Sequence, residues 1–344
     1  MNPRELVNHI RSGPAKLVLD EQLPFLPRTC FNGRCNPCEL DEFLHALESS
    51  VTIQDVFCSS PQTLRNTEDE WVLLVQTLGR IRHIQNLSLL CRAGSRDFRP
   101  FQAFAEAVNN AQSLRQFSIV LHGEAFPRDS SGLTALANAL REHTGLQEFR
   151  LIAHPETFED TSLDPVLRAL PACPHLKTVT ITTKNASADA VKTLLQLPKN
   201  TDLTLFHTNK EHWLAVADGI RQGQCNIKTL HLSLRNTGPP ATEAVKAIAS
   251  AIRLDRNLEH LTLRMRNDLN DEAGAELAEA LAVNTTLRKL TLAGYRNVHH
   301  NAIFYEAFSA MLRVNTSLRL EVPPFDDVVG DEMLVDSRNQ MLIE

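Results

Sequence analysis

Cys30, Cys35 and Cys38 are spaced C-x4-C-x2-C, the spacing that ligates a plant-type iron–sulfur cluster; with His45 or Cys58 as a fourth ligand it would also serve zinc. The loop around them, PFLPRTCFNGRCNP, lacks the run of small residues that lets backbone amides reach cluster sulfur, and Cys38 opens a helical pattern. We therefore read three plain thiols and expect neither metal nor cofactor. The thirteen histidines invite catalytic chemistry, but none sits in HExxH, in HxH with a carboxylate at ligand spacing, or beside a nucleophilic cysteine. His299 and His300 precede a helical stretch and read as a solvated pair. The phosphate-cradling GxxxxGK[ST] and GxGxxG and the nucleophile elbow GxSxG do not occur. No enzyme is expected.

Recognition by a surface is the chemistry that remains, and it depends on the elements that present that surface. Between Asn257 and Asn315 the chain runs through one motif twice. Leu258, Leu261 and Leu263 recur as Leu287, Leu290 and Leu292, 29 residues later. After each triplet comes a helical face at i, i+3, i+4, i+7: Gly274, Leu277, Ala278, Leu281 and then Phe304, Ala307, Phe308, Met311. A strand–turn–helix unit of this length cannot bury its apolar stripes alone, so it must stack on copies of itself. The helical face can be followed back to Leu40, giving ten helices in one phase, with eleven alternating strands between Leu17/Leu19 and Leu320/Val322. Ser130, Ser187 and Thr242 are expected to cap helices, and residues 1–40 are too short for the three-helix module of an F-box adaptor and carry no such helices. The units around Pro198 are short, and Pro198 cuts one helix short.

LxxLxL followed by an amphipathic helix resembles the leucine-rich repeat, specifically its long ribonuclease-inhibitor-like subtype; the phrase LNDEAGAELAEALAVNTTLRKLTL matches a full repeat. The chain departs from that family where Asn or Cys usually follows the last leucine by three, since Arg266 and Tyr295 stand there. The resemblance implies an α/β leucine-rich repeat solenoid, a horseshoe with a parallel sheet on its concave face and helices on its convex face, in about ten repeats. The expected organisation is one solenoid over 1–322, including an N-terminal cap and a Pro/Cys-rich insertion at 24–37, followed by a cap or tail at 323–344.

Strand parity then selects the concave side chains. With the first inward residue of each strand as zero, offset 3 gives the apolar Leu90, Val120, Ile152 and Phe206, joined by Arg264. Offset 5 gives Arg92, His122, His154, Lys184, Arg235, Arg266 and Tyr295, mostly cationic or titratable. Apolar area bordered by charge marks a binding surface. These residues are the expected partner site, and the cations favour a protein partner with an acidic segment.

Bulk properties narrow the rest. A net charge of −6 gives no global attraction to nucleic acid or anionic membrane. The apolar runs fall far short of the ~18 residues of a membrane span, and the first residues carry charges and no apolar core, unlike a signal peptide. Seven irregularly spaced cysteines suit a reducing compartment, cytosol or nucleus. The expected function is a monomeric, non-catalytic scaffold binding a protein on its concave face. The resemblance also admits a GTPase regulator of the Ran GTPase-activating type, although that family's strongly acidic C-terminal region has only a mildly acidic counterpart in 323–344.

Overall fold

The structure is a computed structural model and describes residues 3–19, 37–59, 68–92, 100–122, 130–153, 162–183, 185–234, 241–265, 271–293 and 302–322. Cys30, Cys35, nearly all of the 24–37 insertion and the whole 323–344 tail lie outside these residues, as does the side chain of Cys38. Strands and helices alternate, and eleven strands lie in chain order in one sheet. Every described pairing is parallel. This is an α/β repeat array, with each strand followed by a returning helix. The chain divides into two compact units, Met1–Thr204 and Leu205–Glu344, and the division falls among the short repeats near Pro198.

In the first unit, α1 (Pro3–Arg11) and β1 (Lys16–Leu19) are followed by α2 (Pro37–Glu48), β2 (Asp55–Ser59), α3 (Glu68–Gly79), β3 (Asn86–Arg92), α4 (Pro100–Asn110), β4 (Gln116–His122), α5 (Ser130–Glu142) and β5 (Glu148–Ala153). Then come α6 (Asp164–Ala169), β6 (Thr178–Thr182) and α7 (Ala188–Thr193), and the first residues of β7 (Asp202–Thr208). α1 stands ahead of the ten helices read from the sequence. Its Val7 and Ile10, i and i+3 on one face, are buried, and four residues separate it from β1, room for a turn but not for a further element.

The helices pack as the sequence period requires. Trp71, Leu74, Val75 and Leu78 of α3 and Phe101, Phe104, Ala105 and Val108 of α4 are all buried. Their rings interlock: Trp71 meets Phe104 edge-on at 5.8 Å, and Phe104 meets Phe117 of β4 at 6.4 Å. Such pairs add about 0.5–1.5 kcal/mol each beyond burial. α6 and α7 are single short helices, each continued by one 3-10 turn, Leu170–Ala172 and Leu194–Gln196. Pro171 and Pro198 account for this, because neither can donate to a continuing α-helix.

In the second unit, α8 (Lys210–Arg221), β8 (Thr229–Leu234), α9 (Ala241–Leu254), β9 (His260–Met265), α10 (Asp271–Val283), β10 (Lys289–Ala293), α11 (Ala302–Val314) and β11 (Arg319–Glu321) repeat the plan. Of the described caps, Ser187 accepts from the Ala190 amide as expected. Ser130 and Thr242 lie in the first turns of α5 and α9, whose preceding residues are outside the described ones. Leu320, expected inward, is half-buried; β10 pairs it on one side only. Among the described residues, no helix is long and apolar enough to cross a membrane.

Candidate binding face

In a strand, alternate side chains leave opposite faces. In β3 and β4 the even set (Leu87, Leu89, Cys91; Phe117, Ile119, Leu121) is buried against the helices. The odd set therefore stands on the open sheet face. Register sets Leu90 beside Val120 and Val120 beside Ile152, so the three make a continuous apolar row across β3, β4 and β5. Next to it, Ser88, Ser118 and Arg150 form a second row in the same register. The Ser118 hydroxyl is buried and has no hydrogen-bond partner among the described residues.

The apolar row is less open than strand parity alone implies. Ile152 is half-buried, but Leu90 and Val120 are only 8% and 6% exposed. Strands sit ~4.8 Å apart, so neighbouring side chains in a row cover one another's flanks. The row continues into β6 not as an apolar residue but as Thr182, also buried, whose hydroxyl accepts from the Ala153 amide at 3.1 Å.

In the second unit Phe206 is half-buried on the open face. The next residue, His207, has a positive φ of 54°, an uncommon conformation for a side-chain-bearing residue. It acts as a bulge: the alternation of β7 shifts by one, and Thr208 turns inward, 1% exposed. Thr208 then accepts from the indole of Trp213 at 2.7 Å and donates to the Ser233 carbonyl at 2.7 Å. The turn into α8 is fixed by a reciprocal cap, in which Asn209 Oδ1 accepts from the His212 amide and His212 Nδ1 accepts from the Asn209 amide. No glycine, asparagine or proline marks His207, so the bulge has no local sequence signal. Arg264 of β9 is half-buried on the same kind of face, in register between Ser233 and Ala293.

Arg92 and His122 end β3 and β4, but their side chains lie outside the described residues; His154, Lys184, Arg235, Arg266 and Tyr295 lie outside altogether. The structure thus brings together Leu90, Val120 and Ile152 and does not describe the cationic column.

Cysteine chemistry takes no part in this face. Cys58, Cys91, Cys173 and Cys225 are free thiols in the interior. Burial pushes Cys58 and Cys225 up to about 12 and Cys173 up to about 11, and a thiol held protonated is a poor nucleophile. Among the described residues, no three His, Cys, Asp or Glu side chains form a group able to hold a metal ion.

Compared with known proteins, the chain matches no protein-family model and no curated protein. Among solved structures it is similar to the leucine-rich repeat-containing protein LegL7 from Legionella pneumophila, at 12% identity and a TM-score of 0.49, over 91% of this chain and 96% of that one.

Proposed function

We propose that the chain is a non-catalytic scaffold that binds a protein partner on the open face of its sheet, with the partner contributing an acidic segment. The observation that carries this reading is the paired arrangement of the Leu90–Val120–Ile152 row with the Ser88–Ser118–Arg150 row. An apolar row gives a partner side chain something to cover. Arg150 beside it gives orientation and a charge for an acidic group of the partner. Phe206 and Arg264 extend the same combination of apolar and cationic side chains in the other unit. In this reading the scaffold acts as a monomer in the cytosol or nucleus.

The experiment is photo-crosslinking from Ile152 and from Phe206 in the native cell, with identification of the captured protein, followed by affinity measurement on variants. Phe206→Ala is expected to weaken binding by about 2 kcal/mol with the fold retained, as for a partner-buried aromatic anchor. Crosslinks formed equally from an exposed helix position such as Leu73, or an unchanged affinity, would reject the open face as the site.

A further inference from the structure

The edge of the Met1–Thr204 unit, where each helix turns back into the next strand, holds a groove lined by Gln85, Arg115, Gln147, His175 and Lys177 together with small polar turn residues. Its spine is a backbone ladder: the amide of Arg115 donates to the carbonyl of Gln85, that of Gln147 to Arg115 and that of Lys177 to Gln147, each at 2.7 Å. Amide and cationic side chains thus alternate across four successive repeats. No acidic residue lines the groove, and neither Arg115 nor Lys177 forms a side-chain ion pair among the described residues. Asp202, next in the ladder, is exposed and makes no ion pair with Lys177 among the described residues. The corresponding column of the other unit is built differently, since Lys228 there closes on Glu259 at 2.7 Å. The turn that brings Thr144 and Gly145 to the groove is fixed from behind. His143, 5% exposed, accepts from the Gly145 amide on Nδ1, which leaves Nε2 to donate to the Ala111 carbonyl at 3.0 Å.

We propose that this edge groove binds an extended acidic peptide segment whose carboxylates are three residues apart. Arg115 and Lys177 lie two strands apart, roughly 10 Å at the usual inter-strand spacing. In an extended polyproline-II segment three residues make one turn and span roughly 9 Å, so carboxylates at i and i+3 fall on one side and meet the two cations together. Arg115 offers the planar fork suited to a carboxylate, and Lys177 a point charge. Gln85 and Gln147 carry both a donor and an acceptor, the combination that an extended peptide backbone requires. A polyphosphate strand fits the site less well, because among the described residues no Phe, Tyr or Trp lines the groove for base stacking and the chain as a whole carries a net charge of −6. The site is distinct from the open sheet face, so either can fail without the other.

The test is fluorescence anisotropy of the full chain with three short labelled probes of equal charge: a peptide with two glutamates three residues apart, one with the two glutamates adjacent, and a single-stranded oligonucleotide. The spaced peptide is expected to bind several-fold more tightly than the adjacent one. The exposed double variant Arg115→Glu/Lys177→Glu should reduce its affinity ~10-fold or more, with the loss shrinking as salt rises. Arg253→Glu in the other unit should change nothing, and Arg115→Gln/Lys177→Gln guards against a folding defect from charge reversal. Equal binding of the two peptides, an unchanged affinity in both double variants, or tighter binding of the oligonucleotide would overturn the proposal.

Discussion

The side-chain amide of Asn315 donates to the backbone carbonyl of Asn284 at 2.8 Å and to that of Leu281 at 2.7 Å. Asn284 does the same one repeat earlier, donating to the Ile252 carbonyl at 2.7 Å while its Oδ1 accepts from the amides of Leu287 and Thr286. Asp255, one repeat earlier again, accepts from the amides of Leu258 and Asn257. A column of short polar side chains therefore ties each helix end to the next strand, and the two asparagines also tie it to the repeat before. The family resemblance expects such a ladder at the other turn, after the strand, where this chain has Arg266 and Tyr295.

Asn284 is 1% exposed, so its loss cannot be repaired by water. Asn284→Ala is expected to cost about 3 kcal/mol, because it orphans the Ile252 carbonyl and two amides at once. Denaturant unfolding measures this; a loss below about 1 kcal/mol would show that the column is not a support.

Asp255 gives the pH prediction. Burial raises its carboxyl above the ordinary carboxylate range, against the lowering effect of hydrogen bonds from Leu258 and Asn257. The folded chain therefore holds this proton more readily than the unfolded chain, and the group's contribution to stability falls as pH rises from the ordinary value through the raised one. Asp255→Asn removes the buried charge and keeps the acceptor. It should melt higher than the parent at neutral pH, and the gap should close as the pH is lowered from about 7 to about 4. A gap that widened on acidification would contradict the assignment.

Gly79 ends α3 where α4 passes closest. A Cβ placed there would collide with the Ala107 backbone, lying 2.9 Å from its carbonyl oxygen. Because backbone rather than a flexible side chain must yield, Gly79→Ala is expected to destabilise by about 3 kcal/mol, at the upper end of overpacking costs. Thermal unfolding checks it, and a neutral outcome would mean the two helices separate readily.

The repeat plan was legible because burial enforces it: a 3.6-residue period in helices and a 2-residue period in strands survive even in repeats with few leucines, such as Thr178–Thr182. α1 was missed because it stands alone, with only Leu6, Val7 and Ile10 to announce it and no preceding repeat to set its phase. The bulge at His207 was illegible for a different reason. It is dictated by Thr208 satisfying Trp213 and Ser233, a contact between residues of three elements, and no local pattern encodes it. On the candidate face, parity identified which residues share a side. It could not weigh how far Leu90 and Val120 shield each other, since that depends on cross-strand register. The edge groove went unseen because Arg115 and Lys177 look like ordinary exposed charges until the strand ladder aligns them.

The open sheet face is the central claim, and Ile152 tests it most directly, being the half-buried end of the apolar row. The measurement is the affinity of the crosslinked partner for Ile152→Glu beside Leu254→Glu, which changes a residue 60% exposed at the end of α9. The account predicts that Ile152→Glu loses about 30-fold in affinity, roughly 2 kcal/mol, with its melting temperature unchanged, while Leu254→Glu binds as the parent does. Equal affinity of both variants, with both folded, would contradict it.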